Sequence, residues 1–159
     1  MTPAQASLLA KLDTQERVRD FLTNAVASGR ASHAYLFLGA PGAGKLDAAW
    51  ALAQAFLCEQ DGCGACDSCV RVARHTHPDV HYYTPESATG YLIAQTRELL
   101  DDVPLAPIRA KAKVYIIDRA EQLRANTANA LLKTLEEPPE GVMFILLGTS
   151  ADVMSVSYT

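Results

Sequence analysis

An apolar strand, a glycine-rich loop and a helix follow one another without interruption in the first third of this 159-residue chain. The run AYLFL at 34–38 leads directly into the letters GAPGAGK, and helix-forming residues follow from Lys45. Glycines allow such a loop to turn its backbone N–H groups inward around a phosphate, and the helix adds the positive end of its dipole. The stretch therefore predicts an α/β domain with a phosphate site where the strand ends.

The rest of the chain alternates between helical and strand patterns, which favours a mostly parallel sheet flanked by helices. In the first helix Val18, Phe21, Leu22 and Val26 recur at helical spacing. Strands are predicted at 34–38, 79–83, 113–117 and 142–147, and helices at 15–28, 45–57, 92–103 and 123–137. The strand at 34–38 is expected to be buried.

The composition is typical of a globular protein and does not indicate a particular partner. Hydrophobic residues make up 49% of the chain and charged residues 20%, and the net charge is −4. This balance predicts an ordinary globular domain with no global attraction to nucleic acid or to an anionic membrane. No secretion signal begins the sequence and its apolar runs are too short to cross a bilayer, so we expect a cytoplasmic protein with no membrane partner.

The phosphate loop satisfies the spacing G-x-x-x-x-G-K through Gly39, Gly44 and Lys45. With Pro41 and Gly42 these residues form the predicted nucleotide-binding loop, in which the lysine would face the β- and γ-phosphates. The alternative is a glycine-rich turn with a solvated lysine. The preceding strand and following helix favour the phosphate loop.

Leu46 stands where such loops carry Ser or Thr. That hydroxyl normally binds the Mg²⁺ that bridges the β- and γ-phosphates, and leucine has no donor atom to offer. Binding of ATP with Mg²⁺ is therefore doubtful, and hydrolysis more so.

A second nucleotide-site signal is KVYIIDRAEQL, an apolar strand that ends in Asp118. Asp118 would hold Mg²⁺ or its water shell at the carboxyl edge of the sheet. The alternative is a helix cap after a core strand. Arg119 follows it and cannot accept a proton from water, so no general base stands there, and the direction of Glu121 cannot be inferred. Hydrolysis by this chain is not expected.

Four cysteines form the densest chemical signal: Cys58, Cys63, Cys66 and Cys69 follow the pattern C-x4-C-x2-C-x2-C. Four thiolates in so short a segment can enclose a structural Zn²⁺, and free or redox-active thiols are the alternative. The nearby histidines at 75, 77 and 81 are not assigned as ligands, because four cysteines already complete a tetrahedral site.

Several of these segments together resemble the bacterial AAA+ clamp-loader subunits of DNA polymerase III. The segments are SHAYLFLGAPGAGK, the cysteine knuckle, THPD, KVYIIDRAEQL and NALLKTLEEPPEGVMFILLGTS, in the family's order. The resemblance runs from about Gln15 to Ser150, although the first cysteine gap is shorter than the family usually shows. It implies a P-loop NTPase domain with an inserted zinc knuckle at 58–69.

Leu46 and Arg119 make the chain resemble the delta-prime branch rather than the gamma and tau motor subunits. The resemblance implies a non-catalytic structural subunit within a hetero-pentamer of gamma/tau and delta subunits, which loads the sliding clamp onto primer-template DNA. It also places Thr149 at the position of the sensor residue, where a strand-end cap is the alternative. No catalytic residue is assigned.

The resemblance further implies that residues 1–159 are an N-terminal domain without the helical lid, the C-terminal collar domain and the Ser-Arg-Cys motif of the family. Two alternatives to the structural subunit stay open. One is an ATP-binding motor subunit of the same loader, which requires Mg²⁺-dependent hydrolysis. The other is a zinc-knuckle module that binds nucleic acid directly, which requires steeply salt-dependent affinity.

Overall fold

A four-stranded parallel sheet forms the centre of the computed structural model, which describes residues 7–12 and 15–149. Its strands are β1 (Ala34–Leu38), β2 (Val80–Tyr83), β3 (Lys113–Ile117) and β4 (Val142–Gly148). Their spatial order is β1-β4-β3-β2, and every neighbouring pair is parallel. The predicted α/β class with a parallel sheet is confirmed.

The described ranges contain five α-helices, one before the first strand and four between the strands. They are α1 (Glu16–Ala27), α2 (Lys45–Leu57), α3 (Asp67–Ala73), α4 (Ile93–Asp102) and α5 (Ala125–Glu136), with short 3-10 helices at Leu9–Lys11 and Ala120–Gln122. The predicted bounds of β1, β3 and α2 are those observed, and the other predicted elements differ by one or two residues at an end. The pattern did not predict α3 or the 3-10 helices, which are too short to show a hydrophobic period.

Helices cover both faces of the sheet, because side chains along a strand alternate between its faces. On one face Val114, Ile116, Met143 and Ile145 join a buried cluster with α1, α2 and α3. On the other, Tyr115, Ile117, Phe144 and Leu146 pack with α4 and α5. Both central strands are buried along their whole length. The result is a three-layer domain.

Helix α2 lies in the middle of the first layer and is buried along most of its length. Its alanines let it approach the sheet closely, while the Gln54 side chain makes a buried polar bridge. The Gln54 Oε1 accepts a hydrogen bond from the Leu8 N–H at 2.8 Å, and its Nε2 donates to the Cys69 carbonyl at 3.1 Å. One helix therefore joins the first described turn to the cysteine segment.

Two expectations about burial were wrong. Phe21 was grouped with the apolar face of α1, but its side chain is 64% exposed while Leu22 and Val26 are buried. Adjacent residues point about 100° apart on a helix, so the face that buries Leu22 turns Phe21 outward. Strand β1 is only half-buried, because within the described part of the chain it pairs with β4 alone.

Within residues 7–12 and 15–149 no helix has the length and apolarity needed to cross a membrane.

Candidate functional site

The four cysteine sulfurs converge at the C-terminal end of α2. The Sγ atoms of Cys58, Cys63, Cys66 and Cys69 all lie within 4.8 Å of one another. The Cys58 and Cys66 sulfurs are 3.8 Å apart. A tetrahedron of sulfurs, each about 2.3 Å from a central Zn²⁺, has edges of about 3.8 Å. The four predicted ligands therefore fit a structural zinc ion.

Backbone N–H groups surround these sulfurs. The Cys58 Sγ accepts from the N–H groups of Gln60 and Cys63 at 3.3 and 3.4 Å. The Cys63 Sγ accepts from Ala65 and Cys66 at 3.4 and 3.3 Å. Such bonds orient thiolates and offset part of their charge. The loop that aims them is tight, since Gly62 has a φ of 100° and a Cβ there would come 3.3 Å from the Ala55 backbone.

The thiols differ in how readily they ionise. The Ala65 and Cys66 N–H groups lower the pKa of Cys63 to about 7. Burial raises the pKa of Cys66 and of Cys69, and Cys69 has no exposed surface. A divalent cation among the sulfurs would favour all four thiolates.

The nearby histidines have other contacts. The His77 Nδ1 accepts from the Asp79 N–H at 3.0 Å. His75 stacks on Trp50 with ring centroids 3.8 Å apart, and the His81 Nε2 lies 3.2 Å from a carboxylate oxygen of Asp102. Within the residues that the structure describes, the cluster of possible metal ligands at the knuckle consists of the four cysteines alone.

A buried carboxylate fastens the loop before β3 beside the knuckle. Asp79 has no exposed surface, and its oxygens accept from the N–H groups of Ile108, Arg109 and Ala110 at 2.5, 2.7 and 2.7 Å. Burial alone would raise the pKa of Asp79, but these three N–H groups outweigh it and hold the pKa below its usual value. Arg109 also reaches the Asp67 carboxylate at the start of α3, at 3.0 Å.

The predicted phosphate loop lies at the opposite end of α2 and borders a cavity of about 690 Å³. Gly44 has a φ of 90°, a conformation that glycine adopts without strain. The Lys45 Nζ donates to the carbonyls of Gly39 at 2.6 Å and Gly148 at 3.0 Å. The lysine therefore ties the ends of β1 and β4 together.

The predicted nucleotide-site residues are brought to this one cavity. Gly39 contributes through its carbonyl bond to the lysine. The residues that line the cavity directly are Pro41, Gly42, Gly44, Lys45, Asp118 and Thr149. Thr149 lies just beyond the end of β4, as its predicted sensor or cap position requires.

The cavity lacks one of the side-chain ligands that Mg²⁺ has in P-loop enzymes. Leu46 lines it with an apolar side chain that also packs against the core. The Asp118 Oδ2 accepts from the Tyr82 hydroxyl at 3.0 Å, and its Oδ1 accepts from the Arg119 N–H at 2.9 Å. Mg²⁺ requires near-ideal octahedral oxygen ligands. The hydroxyl ligand is missing here, and each oxygen of Asp118 already accepts one hydrogen bond from the protein.

The sequence pattern did not predict Tyr82, which contacts Asp118, and left the direction of Glu121 undecided. Tyr82 reaches Asp118 because β2 and β3 are parallel neighbours that end at the same edge. Its place at the end of a strand was the available signal. Glu121 also lines the cavity, because the 3-10 helix Ala120–Gln122 turns the chain back after β3. No pattern in the sequence showed that turn.

Comparison with known proteins decides the family. A family model described as DNA polymerase III, delta subunit, matches residues 14–155. The chain belongs to this family. It is 41% identical to DNA polymerase III subunit delta′ of Bacillus subtilis over 138 residues, which are 85% of this chain and 42% of that protein. It is 42% identical to subunit tau of Escherichia coli over 147 residues, which are 90% of this chain and 23% of that protein.

A solved structure shows the same fold as this family member. It is a DNA polymerase III gamma subunit-related protein from Thermotoga maritima, with a TM-score of 0.57 and 18% identity. The match covers 86% of this chain and 42% of that chain. The present chain thus spans less than half the length of the relatives named here.

Proposed function

We propose that this chain is the AAA+ portion of a non-hydrolysing structural subunit in the clamp loader of DNA polymerase III. One observation carries the proposal: Leu46 lines the cavity beside the phosphate loop, at the position where a hydroxyl residue would bind Mg²⁺. Leu46 offers no oxygen, and both oxygens of Asp118 accept bonds from the protein. ATP hydrolysis in P-loop enzymes needs that metal to neutralise charge on the transferred phosphoryl group.

The assembly is part of the proposal. The partners would be gamma/tau and delta subunits in a hetero-pentamer, with the sliding clamp and primer-template DNA bound by the whole assembly in the cytoplasm. The lid and collar domains would lie outside residues 1–159. A subunit that does not hydrolyse ATP would offer a fixed surface against which motor subunits move.

Zinc would serve the fold. Residues 58–69 would hold Zn²⁺ through Cys58, Cys63, Cys66 and Cys69, and a four-thiolate site leaves no open position for chemistry. The knuckle would support α2, because Gln54 of that helix donates to the Cys69 carbonyl. The ion would thus stabilise the helix whose other end forms the phosphate loop.

A motor subunit is the second candidate, and Glu121 is the observation that favours it. Its carboxylate lines the same cavity as Lys45 and Asp118. In that position it could polarise an attacking water in place of the residue after Asp118. Against this, a base alone does not replace the metal ligand that Leu46 removes.

A pair of chimaeras in one organism separates the two candidates. Bacillus subtilis has both a delta′ subunit 41% identical to this chain and a tau subunit 40% identical to it. The chain would replace the corresponding segment of each subunit, and the clamp loader would be reconstituted with its other subunits unchanged. We expect the delta′ chimaera to support clamp loading and the tau chimaera to lose ATP hydrolysis.

The matched control is Lys45→Ala in both chimaeras. In the delta′ chimaera we expect no change in clamp loading, because no hydrolysis takes place in that subunit. ATP hydrolysis by the tau chimaera, lost again on Lys45→Ala, would overturn the structural role and establish the motor.

A further inference from the structure

One cation at the phosphate-loop cavity has no carboxylate partner in the described part of the chain. Arg119 lines the cavity and is exposed, and it takes part in none of the ion pairs found among the described residues. Its backbone has φ 46° and ψ 54°, the left-handed region. A non-glycine residue is uncommon there, and such strain gathers at binding sites.

The charges around Arg119 leave it available to an anion. The Asp118 carboxylate is engaged with the Tyr82 hydroxyl and with the Arg119 N–H rather than with the guanidinium. Asp47 and Glu121 line the cavity as well, but both are exposed to water. Water screens such exposed carboxylates strongly. Lys45 supplies a second cation once its two carbonyl bonds are exchanged for phosphate oxygens.

We infer that this cavity binds the phosphates of a nucleoside di- or triphosphate without Mg²⁺, with the Arg119 guanidinium in place of the metal. A guanidinium presents a planar fork of N–H donors that matches phosphate oxygens in pairs. The volume of about 690 Å³ accommodates such a ligand. The inference rests on the missing hydroxyl ligand of the proposed function and is independent of the proposed partners.

The test is equilibrium titration of the zinc-loaded chain with ATP or ADP that carries a fluorophore on the ribose. Magnesium is removed beforehand from buffer and nucleotide with a chelating resin, because a soluble chelator would also strip the cysteine site. We expect the dissociation constant to change by no more than about twofold when millimolar Mg²⁺ is added, a difference far smaller than one decade of affinity. AMP, which lacks the β-phosphate, should bind much more weakly.

Substitutions at Arg119 identify the cation. Arg119→Gln should weaken binding about tenfold, as expected for loss of one charge-assisted contact. Arg119→Glu should weaken it further in the absence of Mg²⁺, and added Mg²⁺ should then recover part of the affinity. Arg97→Gln is the matched control, because Arg97 lies on α4 and borders a different groove. Zinc content and thermal unfolding verify that each variant is folded.

Three results would each overturn the inference. They are no nucleotide binding at millimolar concentration, binding that requires Mg²⁺, and binding by Arg119→Gln as tight as that of the unchanged chain. None of them bears on the structural role, which the chimaeras test through clamp loading and hydrolysis. Conversely, ATP hydrolysis by the tau chimaera would overturn the structural role, and the titration of the isolated chain would still decide whether nucleotide binds without Mg²⁺.

Discussion

The two ends of helix α2 carry two sites that differ in how completely they suit a metal ion. At the C-terminal end, four sulfurs lie within 4.8 Å of one another, and those of Cys58, Cys63 and Cys66 accept bonds from nearby backbone N–H groups. At the N-terminal end the glycine loop and the cavity are present, but Leu46 offers no ligand and Tyr82 donates to Asp118. One end brings four metal ligands together, and the other lacks one of the ligands usual at such a site.

The difference shows which groups the fold itself requires. A closed thiolate site contributes binding free energy directly to folding, because the unfolded chain has no such site. The groups of a catalytic metal site act on a substrate, so a fold can lose them and keep its shape. At the phosphate end the groups that remain have structural contacts: Lys45 joins the ends of β1 and β4, and Asp118 joins β3 to β2.

The largest expected effect follows from removing a cysteine. Cys69→Ala deletes a fully buried ligand, so we expect loss of zinc and a melting temperature lower by about 10 °C or more. Metal analysis and calorimetry measure the two quantities. Ser68→Ala is the neighbouring control: the Ser68 Oγ is buried and has no hydrogen-bond partner among the described residues, so its removal should be neutral. Equal melting temperatures for the two variants would show that the knuckle does not support the domain.

Asp79→Asn should have the next largest effect and lower the unfolding free energy by about 2–3 kcal/mol. The amide is uncharged and has one oxygen, so it cannot replace the carboxylate that accepts bonds from three N–H groups. Urea unfolding at neutral pH measures it.

The same variant gives a pH dependence. The pKa of Asp79 is depressed in the folded state, so its stabilisation is complete above the unfolded pKa of about 3.9 and is lost as the pH falls through the lower folded value. The difference in stability between the unchanged chain and the variant should therefore be constant above roughly pH 5 and shrink below pH 4. A difference that grows in acid would contradict the depressed pKa.

Leu46→Thr tests whether the missing hydroxyl alone removes magnesium binding at the phosphate end. The substitution removes apolar contact with the core and should lower stability by about 1 kcal/mol. It supplies the missing hydroxyl, yet Asp118 stays engaged with Tyr82, so we expect nucleotide affinity to remain insensitive to Mg²⁺. Strong magnesium dependence in this single variant would show that Leu46 alone disables the metal site.

Lys45→Ala should change stability least, by about 0.5 kcal/mol in either direction, because Lys45 is only half-buried and borders an open cavity, where water can replace its two bonds to carbonyls. Urea unfolding of Lys45→Ala and Cys69→Ala under the same conditions compares their unfolding free energies. A loss comparable with that of the cysteine variant would mean that the lysine has become as important to the fold as the knuckle.

The sequence predicted the parts of this molecule that depend on local pattern. Strand β3 and helix α2 were bounded correctly, because hydrophobic runs and glycines act over a few residues. The four cysteines were found for the same reason: they lie within one segment of the chain. The glycine loop before α2 was also located from a few consecutive residues, and its binding of phosphate stays a prediction.

What the sequence did not predict depends on contacts between distant segments. The Tyr82–Asp118 bond joins residues 36 positions apart, and the Asp79 carboxylate binds N–H groups about 30 positions away. Glu121 reached the cavity through a three-residue 3-10 helix that leaves no periodic signal. The exposure of Phe21 depends on which face of α1 packs against the core, and spacing alone does not fix that face.

The buried bridge made by Gln54 has a consequence for hydrogen exchange. The Leu8 amide is held by a side chain 46 positions away, and the same side chain donates to the carbonyl of Cys69. That amide can exchange only when the bridge opens, and the bridge is anchored in the cysteine segment. The exchange rate of the Leu8 amide proton should therefore report how often the cysteine segment opens.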